Sequence, residues 1–373
     1  MTEGPGTTGT GLRLARQARG FSQQQLAGMA GVSRQAVSAV ESGHSDPSLR
    51  VALAIAQTLG LSVEELFGPG EPAAPVTATS VAPLAGEGER VSLAAVGDRF
   101  VALPLRGDAG VGLGFLPAGG LAATPGLIRP IGPPRPTLVV AGCDPALPLL
   151  ATPLSLLDPP VAFAWWPCGS GEALRLARQG LVHAAGVHTP ASVSENSENS
   201  ENNIPAGADI VGFTAWREGL AVRDDLRSTV TGLDAIAKNR LRLVNREPGA
   251  EARRLLDRER VRLNLDPSDL IGYGSHAAGH LQVASAIAAG LADAGVASEP
   301  AARAYGLTFI PLAQERFSLV IPAEHTGSRE VQALLKVLAS PWLLAQLAGL
   351  PGYDAATCGM RPAPFLASRT GPG

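Results

Sequence analysis

Cysteine is scarce in this chain of 373 residues: only Cys143, Cys168 and Cys358 occur. Their odd number and wide spacing exclude a disulfide framework and a Cys-x-x-Cys metal knuckle. An excess of basic charge is also missing, since the formal net charge is −3. That excludes a generally basic nucleic-acid coat, so any contact with DNA must come from a local patch of Lys or Arg. No run of about 18 apolar residues exists to span a membrane, and no charged-then-apolar leader opens the chain. A cytoplasmic protein is therefore expected. What is present is ordinary globular material: 45% of residues are hydrophobic, enough for a core and too much for wholesale disorder. The length calls for two or more domains.

Residues 1–67 read as a DNA-binding domain with tightly punctuated helical patterns. Ser22-Gln23-Gln24-Gln25 is a capping box opening one helix, Gly31 ends it, and Ser33 caps the next, Arg34 to Ser42. Asp46-Pro47 is expected to start a fourth helix whose inner face carries Leu49, Leu53, Ala56 and Leu59. Arg13, Arg16, Arg19 and Arg34, against Glu41 alone, make the segment locally basic. Residues 68–88 are rich in Pro, Gly, Ala and Thr without periodicity, a linker signature. Residues 89–136 contain short β runs (VSLAAV, RFVALPL, VGLGFL) separated by Gly-Asp turns, a small β connector.

From residue 137 to 373, apolar strands alternate with amphipathic helices, which predicts an α/β domain with parallel strands. The expected strands are TLVVAG, VAFAWW, LVHAAGV, RLRLVN, LIGYG and FSLVIP, with helices from Gly171, Gly249 and Ala277. The polar repeat SENSENSENN is expected to be a surface loop and is given no role.

The run RQARGFSQQQLAGMAGVSRQAVSAVESGHSDPSL resembles the lambda-repressor/Cro family of helix-turn-helix regulators. The resemblance implies that the second helix of the motif lies in the major groove. Ser33, Arg34, Gln35 and Ser38 would then read DNA, Arg34 against guanine and Gln35 against adenine. Arg19 and Gln23 would touch phosphate. Residues 137–365, through CGSGEALRLARQGLVHAAGVH, RLVNREPGAEARRLL and the long stretch from His280, resemble a cytoplasmic type II periplasmic-binding-protein fold. That implies two α/β lobes closing on a small ligand by a hinge motion.

Cys168-Gly169-Ser170-Gly171 and Asn245 to Gly249 each follow a strand and open a helix, and helix N-termini favour anions. A small anionic effector (molybdate, tungstate, a carboxylate or a cofactor-related metabolite) is expected, with Ser170, Asn245 and Arg246 as contacts, although Ser and Asn cap helices without any ligand. Trp166 is a further candidate, able to stack on a ligand. The pattern also departs from the resemblance: Ala250-Glu251-Ala252-Arg253 replaces a stretch of small hydroxyl residues, Glu172-Ala173 replaces a double glycine, and the acid expected at His183 is absent. Glu172, Glu247 and Glu251 would repel a dianion if they faced the cleft.

Cys143 and Cys168 end successive strands, where open α/β sheets bind ligands. A thiol or metal sensor with His183, His188, His276 or His280 as extra donors is one alternative, and buried inert cysteines are another. A ligand-free dimerisation scaffold, its cleft filled by side chains such as Trp166 and Phe213, is a third. No nucleophile elbow, phosphate loop or acid/base set is found, so no catalytic residue, resident metal or cofactor is expected. Half-site reading predicts a homodimer or higher even oligomer.

Overall fold

The computed structural model describes residues 8–42, 44–67, 74–106, 116–190 and 204–361. These fall into two compact units divided after Pro75. The polar repeat and the VGLGFL run (but for its final residue) lie outside the described residues.

The first unit holds α1 (Thr8–Ala18), α2 (Gln23–Ala30), α3 (Arg34–Glu41), α4 (Leu49–Leu59) and α5 (Val63–Phe67). Capping sets the boundaries. Ser22 and Gln25 form the reciprocal box expected of them, and Ser33 accepts the Ala36 amide. Gly31 adopts φ 64°, the left-handed conformation that ends α2 and starts the tight turn into α3. Leu12, Leu26, Val37, Val40, Ile55 and Leu59 close a single small core. The start of α4 differs from expectation: Ser48 is its N-cap and the helix begins at Leu49. Its inner face also differs: Ala52, Ile55, Ala56 and Leu59 face inward while Leu49 and Leu53 are exposed. The Ser48 side chain supplies an acceptor to Val51 N–H, and Pro47 stays outside the helix.

The second unit opens with a closed barrel of β1 (Val76–Ser80), β2 (Arg90–Val96), β3 (Arg99–Pro104), β4 (Gly120–Thr124) and β5 (Leu127–Pro130), in the order β1-β3-β2-β4-β5. Thus part of the expected linker is barrel: β1 pairs with both β3 and β5. Thr77 and Thr79 suit a strand in spite of the proline-rich flanks.

A nine-stranded sheet follows, in the order β11-β10-β12-β9-β13-β8-β6-β7 with β14 beside β9. One lobe is built on β6 (Thr137–Gly142), β7 (Ala162–Pro167) and β8 (Ala184–Pro190), with α6 (Ala151–Ser155) and α7 (Ser170–Arg178). The other lobe has α8 (Leu233–Lys238), β10 (Leu243–Arg246), α9 (Glu251–Arg262), β11 (His276–Ala277), α10 (His280–Ala288), β12 (Ala294–Ser298) and α11 (Glu299–Ala304). Two long antiparallel strands, β9 (Asp209–Val222) and β13 (Thr308–Ile321), run through both lobes. β8 pairs with the Glu315–Val320 end of β13, and β12 with the Glu218–Val222 end of β9. After β13 come α12 (Arg329–Leu338), α13 (Pro341–Ala348) and β14 (Tyr353–Asp354), which return to the first lobe.

Each lobe sheet is covered on both faces, which explains its near-continuous apolar strands. The barrel supplies part of one cover, setting Val81, Val96 and Leu103 in one cluster with Val139 and Leu176. The expected strand at LIGYG is instead a turn, and the strand there is the two-residue His276–Ala277. Gly272 in that turn (φ 88°) passes so close to Leu243 O that a Cβ would lie 2.2 Å from it. Among the described residues, no single helix is long and apolar enough to cross a membrane.

Candidate functional site

The first unit presents α3 as the second helix of a helix-turn-helix. Ser33, Arg34 and Gln35 are exposed at its first turn, and Ser38 is half-buried one turn on. Arg34 and Gln35 are therefore open to solvent at the start of α3. Arg19 is exposed, with one guanidinium nitrogen on Ala15 O. Arg16 of the basic set and Gln23, an expected phosphate contact, are already engaged. Arg16 makes a bidentate pair with the buried Glu41 at 2.6 and 3.0 Å, and Gln23 donates to the same carboxylate at 2.9 Å. Gln23 thus buttresses the fold through one amide hydrogen.

In the second unit, the strand ends of both lobes converge where β9 and β13 pass from one lobe to the other. Cys143 follows β6, His188 lies on β8, Glu218 on β9, Glu315 on β13 and His280 at the start of α10. All five are buried. Cys143 Sγ lies 3.1 Å from His188 Nε2. His188 Nδ1 is 3.6 Å from Glu315 and 3.8 Å from Glu218, and His280 Nδ1 is 3.8 Å from Glu218. Trp216 and Phe317 wall the cluster, each edge-on to the His188 ring at centroid distances of 5.3 and 5.7 Å. Gly186 makes room for that wall, because a Cβ there would stand 2.2 Å from Phe317 Cζ.

Burial pushes the Glu218 carboxyl up to about 7; His188 opposes the rise and Glu315 adds to it. Burial alone would depress His188, but Cys143, Glu315 and Glu218 outweigh it and hold its imidazole well above the ordinary value. His280 goes the other way, driven well below by burial and by the positive charge of Arg246 and His188. Several polar atoms here have no hydrogen-bond partner: His188 Nδ1, both Glu218 oxygens, His280 Nε2 and Trp216 Nε1. Such groups cost about 1–3 kcal/mol each when left unsatisfied, so a cluster of them is a hallmark of a site and not of packing.

The expected contacts fare unequally. Cys143 belongs to the cluster, and the buried Arg246 lies close enough to act on Cys143 and Glu218, while its guanidinium is held by Glu247 at 2.8 and 2.9 Å. Ser170 borders it, its hydroxyl accepting the His188 amide. The Asn245 side chain is turned to Tyr273 O and Arg246 N, which leaves it structural. Trp166 packs in the first-lobe core on the barrel side, and Cys168 packs with it; neither joins the converging donors. His183 is also elsewhere, accepting Val139 N–H beside His325, and His276 is exposed. Phe213 lies in the first-lobe core. Glu218 and Trp216 are not legible in the sequence because β9 has no clean alternation to mark it as a strand, and Glu315 lies upstream of the apolar FSLVIP run that marks β13. A Glu at each crossing strand was the available signal.

Comparison with known proteins agrees with this architecture. The family model described as "PBP superfamily domain" matches residues 151–339, and the helix-turn-helix model matches residues 12–66. Protein YvgK of Bacillus subtilis is 30% identical over 145 residues, 39% of this chain and 46% of that protein. The chain thus spans about half the length of that relative. An HTH-type transcriptional regulator of Methanocaldococcus jannaschii is 41% identical over 56 residues, 15% of this chain and 85% of that protein. The solved tungstate ABC transporter structure of Geobacter sulfurreducens is 12% identical, covering 57% of this chain and 97% of that one, with a TM-score of 0.43. With a family model spanning half its length, the chain belongs to the PBP superfamily-domain family and carries a lambda-repressor/Cro-type helix-turn-helix at its N-terminal end.

Proposed function

We propose that this protein is a one-component transcriptional regulator: the helix-turn-helix binds operator DNA, and a small effector captured between the lobes alters that binding. The observation that carries the reading is the buried, unpartnered polar cluster at the lobe junction, in a chain that also bears a DNA-reading motif. A ligand-free scaffold would have no reason to keep such groups. An effector can act only by binding one conformation more tightly than another, and the β9–β13 crossing is the natural hinge. The large domain is then a binding domain, not an enzyme. The protein acts in the cytoplasm as a homodimer or higher even oligomer, since this motif reads half-sites in pairs.

An anionic effector was the expectation from the helix N-termini. Glu218 and Glu315 facing the junction, with Arg246 tied to Glu247, disfavour a dianion such as molybdate or tungstate. The charge balance favours a ligand that neutralises carboxylates.

The test uses the full chain and duplexes selected from a random pool. Effectors are screened by thermal shift (divalent metals, oxyanions, small carboxylates, cofactor-related metabolites), and each stabilising compound is then titrated into the protein–DNA complex. At least one class is expected to raise the melting temperature and change operator affinity; stabilisation that never alters DNA binding would sink the regulatory reading.

On the DNA side, Gln35→Ala should reduce discrimination between the selected operator and single-base variants by about 5- to 100-fold at one position, the worth of a bidentate base contact. Arg19→Ala should weaken all sequences alike and lower the salt slope by about one. Uniform loss for Gln35→Ala would contradict the placement of α3 in the major groove.

A further inference from the structure

The donors at the lobe junction are arranged as an ion site. We infer that His188 Nδ1, Glu218 and Glu315 bind a divalent first-row transition-metal ion, and that this ion is the effector; the second half of the inference rests on the regulatory reading above.

The distances carry the first argument. His188 Nδ1 stands 3.6 and 3.8 Å from the two carboxylates, too far for hydrogen bonds, which need about 2.7–3.2 Å. Ligand atoms about 2.1 Å from a common ion lie roughly 3.0–3.5 Å apart at octahedral or tetrahedral angles. A contraction of a few tenths of an ångström would bring these donors to the spacing that a tetrahedral ion requires.

The second argument is the orphaned atoms. His188 Nδ1 and both Glu218 oxygens are buried with no hydrogen-bond partner, and Glu218 is fully inaccessible. All three residues meet through ligand atoms of suitable type.

The third is the proton on the ring. Once an ion displaces the proton that Glu218 and Glu315 favour on His188, Nε2–H can donate to Cys143 Sγ at 3.1 Å and leave the Nδ1 lone pair toward the carboxylates. That is how a ligating imidazole is usually fixed: its other nitrogen donates to a neighbouring acceptor. Cys143 is then a positioning residue and not a ligand. His280 is turned similarly by the backbone, its Nδ1 accepting Ser298 N–H at 3.2 Å, so it borders the site.

Charge closes the account. A dication takes the place of the His188 proton beside Glu218 and Glu315, which together balance it, while Arg246 is balanced by its bidentate contact with Glu247. One imidazole and two carboxylates suit manganese, iron, cobalt or zinc better than a soft ion such as copper(I). The two carboxylates come from the paired crossing strands and the imidazole from β8 of the first lobe, so the ion would tie that lobe to the hinge strands.

The test loads metal-stripped full-length protein with Co²⁺ or Zn²⁺, followed by gel filtration and metal analysis. Retention of one ion per chain is expected, with a rise in melting temperature. Glu218→Gln and Glu315→Gln should each abolish retention, with circular dichroism confirming that both fold; His276→Asn, a surface change, should retain the ion. Cys143→Ser should keep one ion and weaken binding about tenfold. No retention by the unmodified chain, unchanged retention in both Gln variants, or an intense thiolate-to-cobalt absorption band would overturn the ligand set. Stoichiometric binding that leaves DNA affinity untouched upholds the site and overturns the regulatory reading. A different effector that shifts DNA binding, with no metal retained, does the reverse.

Discussion

Glu41→Ala should destabilise the N-terminal unit by about 3 kcal/mol or more, enough to leave much of it unfolded at 37 °C. Glu41 is buried and is the shared acceptor for Arg16 and Gln23, while its own backbone carbonyl takes a bond from Arg13. Removing the carboxylate strands a mostly buried guanidinium between α1 and α3 and leaves the Gln23 amide without its acceptor. The small core around Leu26 and Val37 has little reserve to absorb that loss. Hydrogen exchange read by mass spectrometry on the full chain would follow the α1 and α3 amides directly. Their protection should fall by about two orders of magnitude, the equivalent of the loss above, and operator binding should fall with it. Protection unchanged in Glu41→Ala would mean that the pair contributes nothing.

The same pair sets an acid limit. Burial pushes the Glu41 carboxyl up, but hydrogen bonds from Arg16 and Gln23 and the nearby guanidinium charges outweigh it, so the folded value lies below the ordinary one. A depressed carboxyl stabilises the fold above the ordinary value near 4.5, and this contribution fades as pH falls through the folded value. Helix protection in the unmodified chain should therefore decline below about pH 4.5, with a shallower decline in Glu41→Ala, where this titration is gone.

The N-terminal helices were legible in the sequence because their boundaries are written in side chains that act locally. Ser22, Gln25, Gly31 and Ser33 do in the fold what their chemistry dictates within four residues. The start of α4 was misread because Pro47 and Ser48 both mark helix starts, and only the packing of Ile55 decides between them. Strands buried on both faces, such as β6, stood out as apolar runs. β9 did not, since its fourteen residues include Thr214, Arg217 and Glu218 and take their partners from β12, β13 and β14, all far along the chain. The site shared that fate. Cys143 and Arg246 were accessible to reasoning from strand ends, but Glu218 and Glu315 acquire meaning only when the two crossing strands are set side by side. Ser170 and Asn245 show the opposite failure: residues in the right place whose polar atoms are already engaged by the backbone.

Asp144→Ala is expected to be the most damaging change in the large unit, by about 3–5 kcal/mol. Asp144 is wholly buried one residue beyond Cys143 and accepts three bonds: Ala146 N–H at 2.8 Å, Thr214 hydroxyl at 2.5 Å and Tyr353 hydroxyl at 2.7 Å. These tie the end of β6 to β9 and to β14. Burial pushes its carboxyl above the ordinary value even though all three donors pull it down. The carboxylate charge is thus not the source of its worth; the penalty of deletion is three donors left in a dry interior. Asp144→Asn should be much milder, about 1 kcal/mol, because its oxygen keeps two donors and the Thr214 hydroxyl can turn to accept from the amide. All four tryptophans, Trp165, Trp166, Trp216 and Trp342, lie in this unit, so urea unfolding followed by their fluorescence isolates it from the helix-turn-helix. Near-equal losses for Ala and Asn would show that charge, not donor satisfaction, is what Asp144 supplies. Because Thr214 stands two residues before Trp216 on β9, Asp144→Asn should also leave the wall beside His188 in place. Effector-induced stabilisation should therefore survive in Asp144→Asn, separating the scaffold that holds the junction from the residues that bind within it.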